Sequence, residues 1–101
     1  MSFTLNVKTD FSPQEVNEVI HSALEHEKHV AKYKIKRYSI ICENFESKYG
    51  FNSGELRAKF ETGNIGEESD FFEWYAAKRG FDHWSRKFKI ISDISIKELN
   101  V

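Results

Sequence analysis

The sequence predicts a mainly α protein, an antiparallel helical hairpin with a short connecting helix, a short N-terminal strand and a C-terminal strand or tail. Three observations carry this. Ala31, Ile35, Tyr38, Cys42, Phe45 and Tyr49 recur at spacing 4-3-4-3-4, the apolar seam of a helix that packs on another helix. Trp74, Ala77, Phe81, Trp84, Phe88 and Ile91 recur at 3-4-3-4-3, a second seam of almost the same length. Gly50, Gly63 and Gly66 lie between the two and supply the break that lets one seam fold back onto the other.

Each element has its own local reason. Phe3, Leu5 and Val7 alternate with Thr4, Asn6 and Lys8, the period-2 pattern of a strand over 3–8. Ser12-Pro13-Gln14-Glu15 then places a hydroxyl at N-cap, a proline at N1 and a carboxylate at N3, a capping box opening a helix at Pro13. Neither Gly nor Pro follows until Gly50, so this helix runs over 13–49, about 55 Å at 1.5 Å per residue. Its first apolar stripe, Val16, Val19, Ile20, Ala23 and Leu24, is separated from the second by Glu25-His26-Glu27-Lys28-His29, with Glu27 on the apolar face. That interruption predicts a bend or a change of packing partner near 25–30. Gly50 suits the left-handed residue that ends a helix, and Phe51 its apolar companion. Asn52-Ser53-Gly54-Glu55 repeats the capping logic for a short helix over 53–61 that turns Leu56 and Phe60 inward. Ser69 or Asp70 caps a third helix over 70–91, in which Gly80 either weakens the helix by about 1 kcal/mol relative to Ala or ends it. Residues 92–101 form a strand or a tail.

Composition bounds the function. The 101 residues are 40 % hydrophobic and 15 % aromatic, enough apolar area for one domain spanning 1–101 and too much for a disordered tail. With 15 Lys and Arg against 16 Asp and Glu, the net charge is −1, so no global basic field draws the chain to nucleic acid. The single Cys forms no internal disulfide, and no long uncharged apolar run marks a membrane span or a signal peptide. A cytoplasmic protein without membrane contact is expected.

No constellation points to catalysis, a metal or a cofactor. Glu18, His21, Glu25 and His29 share one helical face, and Glu18-x-x-His21 has the spacing of a di-iron bundle ligand pair. That face lies opposite Val16, Ile20 and Ala23, and no second carboxylate helix is in register with it. Cys42 sits in the seam between Tyr38 and Phe45, where a small apolar side chain fits and a reactive thiolate does not. Gly63-Asn64-Ile65-Gly66 lacks the lysine and the glycine spacing of a phosphate loop.

Charge and aromatics are more informative. Lys28, Lys32, Lys34, Lys36 and Arg37 form one basic stretch, and Lys78, Arg79, Arg86, Lys87 and Lys89 form another, relieved only by Asp82. In an antiparallel hairpin the two lie side by side at the end away from the connection. This assigns a candidate nucleic-acid-binding set of Lys32, Lys34, Lys36, Arg37, Arg86 and Lys87, with a ribbon-helix-helix-like N-terminus as another route to DNA. The connection itself is acidic. Asp70-Phe71-Phe72-Glu73-Trp74-Tyr75 spreads its four aromatics around most of a helix, whereas one seam buries only a stripe. Phe72 and Tyr75 therefore pack on the 53–61 helix or on another chain. Glu67, Glu68, Asp70, Phe72 and Tyr75 form the candidate partner-binding set.

The run Lys48-Tyr49-Gly50-Phe51-Asn52-Ser53, followed by Glu55, Phe60, Gly63, Gly66 and Asp70-Phe71-Phe72-Glu73-Trp74, resembles small helical prokaryotic proteins of the antitoxin-like type, often encoded beside a small toxin. The resemblance spans about Tyr33 to Phe88. It implies a non-enzymatic protein that binds and neutralises a cognate basic, toxin-like protein. A homodimer is also expected, because a straight 37-residue helix is too long for one such chain to cover.

Overall fold

The computed structural model describes Thr4 and residues 6–94. They form α1 (Pro13–Tyr49), α2 (Ser53–Glu61) and α3 (Ser69–Asp93). Helix α1 begins at the expected capping box: Ser12 Oγ accepts from the Glu15 amide at 3.2 Å, and Glu15 Oε2 accepts from the Ser12 amide at 3.3 Å. It ends at Gly50, whose φ of 79° is left-handed and whose amide donates to the Glu46 carbonyl. Asn52 Oδ1 caps α2 by accepting from the Glu55 amide at 2.8 Å.

Helices α1 and α3 lie against each other in opposite directions. Tyr49 meets Phe71, Phe45 meets Trp74 and Lys32 reaches over Phe88, so positions climb along one helix as they descend along the other. No bend is needed near 25–30. Helix α1 is unbroken, and the longest dimension of the molecule, 59 Å, is close to its full length. Glu27, which interrupts the apolar stripe, is accommodated because Lys87 Nζ of α3 reaches its carboxylate at 2.9 Å.

Gly80 does not end α3, which continues to Asp93. A Cβ added at Gly80 would lie 2.7 Å from Cε2 of Tyr38. The glycine thus lets the Tyr38 ring lie directly on the α3 backbone, a reason for its presence that α3 alone does not contain. The start of α3 also differs from expectation. Its N-cap is Glu68, without a side-chain cap; Ser69 is the first residue of the helix, and Asp70, the second, bonds to α1 instead.

The strand expected over 3–8 does not form among the described residues: Thr4, Asn6, Val7 and Lys8 have no regular structure. No other strand stands among the described residues to pair with it, and a lone strand leaves its N–H and C=O groups unpaired. Phe3, Leu5 and the 95–101 part of the tail lie outside the described residues.

The core is concentrated where α2 covers the helical pair. Trp74 and Leu56 are fully buried, with Cys42, Phe71 and Ala77 nearly so. Phe45, Tyr49 and Phe51 surround the Trp74 indole at centroid distances of 5.7, 5.9 and 4.9 Å. Its N–H donates to Ser53 Oγ at 2.8 Å, and that hydroxyl donates to Glu46 Oε2 at 2.9 Å. The same carboxylate oxygen accepts the Ser53 amide at 2.8 Å. Glu46 thereby satisfies the first turn of α2 and the buried indole together. Helix α2 is tied to α3 by Asp82, which accepts from Arg57 at 2.6 Å and from Lys78 at 2.8 Å. Toward the other end, among the described residues, only Ala31 and Ile91 are buried.

Candidate functional site at the aromatic tip

The loop after α2 and the first turns of α3 bring the expected partner-binding residues to one end of the molecule, in unequal roles. Asp70 is committed internally. Its Oδ2 accepts from Lys48 Nζ at 2.6 Å and from the Tyr49 hydroxyl at 2.7 Å, clasping the start of α3 to the end of α1. The Lys48 bond and then the Tyr49 bond hold the Asp70 carboxyl below its ordinary range. The same contact raises both the Tyr49 phenol and the Lys48 ammonium. A carboxylate so occupied contributes little attraction to a partner.

Tyr75 is half-buried. Its ring stacks on Phe60 of α2 at 4.0 Å, with the Arg79 guanidinium 5.8 Å from its centroid. Of the two packing alternatives for Tyr75, the structure realises the one on the short helix. Phe72 differs. It meets Phe60 edge-on at 5.3 Å, yet 55 % of its surface stays exposed. Glu67, Glu68 and Glu73, its neighbours along the chain, are exposed too, with Glu68 also accepting from the Tyr49 hydroxyl at 3.4 Å. The site is therefore an exposed phenylalanine propped on an aromatic pair, with three acids near it along the chain. Phe60 supports both rings from α2. Its inward position four residues after Leu56 was legible, but its contact with Phe72 depends on how α2 crosses α3.

The six residues of the candidate nucleic-acid set are not brought together. Successive residues of a helix are about 100° apart, so Lys34 projects far from the Lys32 and Lys36 side of α1, and Arg37 lies on its outer face. On α3, Lys87 is occupied by Glu27 and lies over the Trp84 ring at 4.8 Å, whereas Arg86 is exposed. Lys32 and Lys36 do share a surface, with Lys89 of α3 rather than with Arg86 or Lys87.

Other reactive groups are placed plainly. Cys42 is buried, and burial pushes its thiol above the ordinary value, the opposite of the shift that activates a thiol. Glu18, His21, Glu25 and His29 are exposed along α1. Among the described residues no three His, Cys, Asp or Glu side chains gather as a metal site, and no helix is long and apolar enough to cross a membrane. Set against known proteins, the chain matches no family model, no curated protein and no solved structure.

Proposed function

We propose that this chain is a cytoplasmic, non-enzymatic interaction protein of the antitoxin-like kind, which engages a cognate basic protein through its acidic, aromatic tip. The observation that carries the reading is Phe72, left 55 % exposed beside Phe60 and Tyr75, which are half-buried against each other. A large ring held by Phe60 has little conformational freedom left to lose on binding, and aromatic residues are favoured interface anchors. Glu67, Glu68 and Glu73, near it along the chain, supply charge that accelerates association with a basic surface, while the ring slows dissociation. The internal engagement of Asp70 and Tyr75 makes them supports of this surface.

The test is kinetic. A photo-crosslinking side chain at position 72 identifies the partner in cells, and association is then followed by surface plasmon resonance at several salt concentrations. Glu67→Lys with Glu68→Lys lowers the on-rate in a salt-dependent way, and Phe72→Ala raises the off-rate. A partner that binds both folded variants as tightly as the parent refutes the tip as the interface.

A further inference from the structure

Beyond the region covered by α2, the pair of long helices has a second surface with a different character. Ile35 of α1 and Phe88 of α3 floor an open groove of about 520 Å³ between the helices. Both side chains are only half-buried. Lys32 and Lys36 rim the groove from α1, and Lys89 rims it from α3. The groove exists because Ser39 and Ser85 also line it, and these side chains are too small to fill the space between the helices. Among the described residues, none of the three lysines has a carboxylate within salt-bridge distance. Lys32 instead rests with its ammonium 5.7 Å from the Phe88 centroid.

From this arrangement we infer that the Lys32–Lys36–Lys89 groove is a docking site for an acidic amphipathic helix of a partner protein. Two adjacent helices leave a channel that a third helix fills with its own ridge of side chains. The apolar floor calls for apolar residues at i, i+3 and i+4 on the occupant. Lysines on both rims call for acids flanking that stripe, and the charge complementarity sets its orientation. A phosphate backbone answers the lysines but offers nothing apolar to Ile35 and Phe88, so the groove favours protein over nucleic acid. The occupant converts the sparsely buried half of the helical pair into a three-helix bundle.

The test uses nitrogen-15-labelled protein and designed peptides of about 18 residues, longer than the roughly 12–15 residues at which isolated helices are marginal. One peptide carries a Leu stripe flanked by Glu, and its control carries Lys in place of Glu. The Glu peptide shifts the amide resonances around Ile35 and Phe88, and the Lys peptide does not. Lys32→Glu with Lys36→Glu weakens binding about tenfold or more. Ser85→Trp, which fills the groove and leaves every charge in place, also abolishes it. Phe72→Ala leaves the titration unchanged, which separates this site from the tip. The inference is overturned if the Glu peptide causes no shift in the groove. It is overturned equally if a short DNA duplex shifts those resonances where the peptide does not, or if they move with protein concentration alone, which marks a second copy as the occupant.

Discussion

Substituting Gly80 by alanine sets two effects of similar size against each other, and the structure decides between them. In the interior of a helix, Ala is favoured over Gly by about 1 kcal/mol, and α3 runs without interruption through this position. However, the added methyl would lie 2.7, 2.8 and 3.0 Å from three carbons of the Tyr38 ring, far inside van der Waals contact. The ring is a flat, half-buried body pressed on the α3 backbone, so relief requires it or the two helices to move apart. Overpacking of this kind costs about 1–3 kcal/mol. The balance is a loss of about 1 kcal/mol, a fall of roughly 4–8 °C in melting temperature for a domain of this size. Circular dichroism melts of the parent, Gly80→Ala, Tyr38→Ala and the double variant form a cycle that isolates the contact. Gly80→Ala destabilises the parent but stabilises the Tyr38→Ala background, where only the helix-propensity gain remains. A Gly80→Ala protein that melts higher than the parent refutes the close approach of ring and backbone.

The core and the ion pairs carry further expectations. Trp74→Ala, which empties a fully buried site, costs about 3–5 kcal/mol in chemical denaturation, whereas His21→Ala at an exposed position changes stability by less than about 0.5 kcal/mol. Asp82 is subject to burial that opposes its ionisation, but the bonds from Lys78 and Arg57 outweigh it and hold the carboxyl below its ordinary 3.8. A carboxylate depressed in the folded state contributes stability above its unfolded value and loses it as pH falls through the folded one. Melting temperature therefore drops on acidification below about pH 4, and Asp82→Asn flattens that limb. If two copies associate, they do so through the start of α1, where Val19 is 68 % exposed; Val19→Glu then converts a sedimenting dimer to monomer at high micromolar concentration, and a parent that sediments only as monomer removes the idea.

Where sequence reasoning succeeded, the determinants were local. The starts of α1 and α2 and the end of α1 follow from Ser12, Glu15, Asn52 and Gly50, each acting within a turn of its own position. Where it failed, the decisive partner was distant in sequence. Gly80 reads as a weakness until Tyr38 lies on it, and Glu27 reads as a break until Lys87 reaches it. Asp70 at the head of a helix reads as a cap or a partner-binding acid. Lys48 and Tyr49, more than 20 residues earlier, bond to it instead. The division of the basic residues was within reach, because helical phase alone separates Lys34 from Lys32 and Lys36. Grouping them by position along the chain concealed it. The exposure of Phe72 was not legible, since it depends on the angle at which α2 crosses α3.

The uneven distribution of buried side chains also sets an order of events in time. The Trp74 cluster joins the last turns of α1 to the first turns of α3 across a connection of 19 residues, 50–68, whereas Ala31 and Ile91 are 60 positions apart. Closing the shorter loop sacrifices less chain entropy and is rewarded at once by the largest rings in the molecule. Folding therefore starts at the connection and zips outward, and unfolding retraces it from the free ends. Amide hydrogens near Phe45 and Trp74 should exchange only with global unfolding, and those near Lys28 and Lys89 through far cheaper local openings. The lysine-rimmed groove thus lies in the half of the protein that opens first, and an occupant there would act as the clasp that closes the zipper.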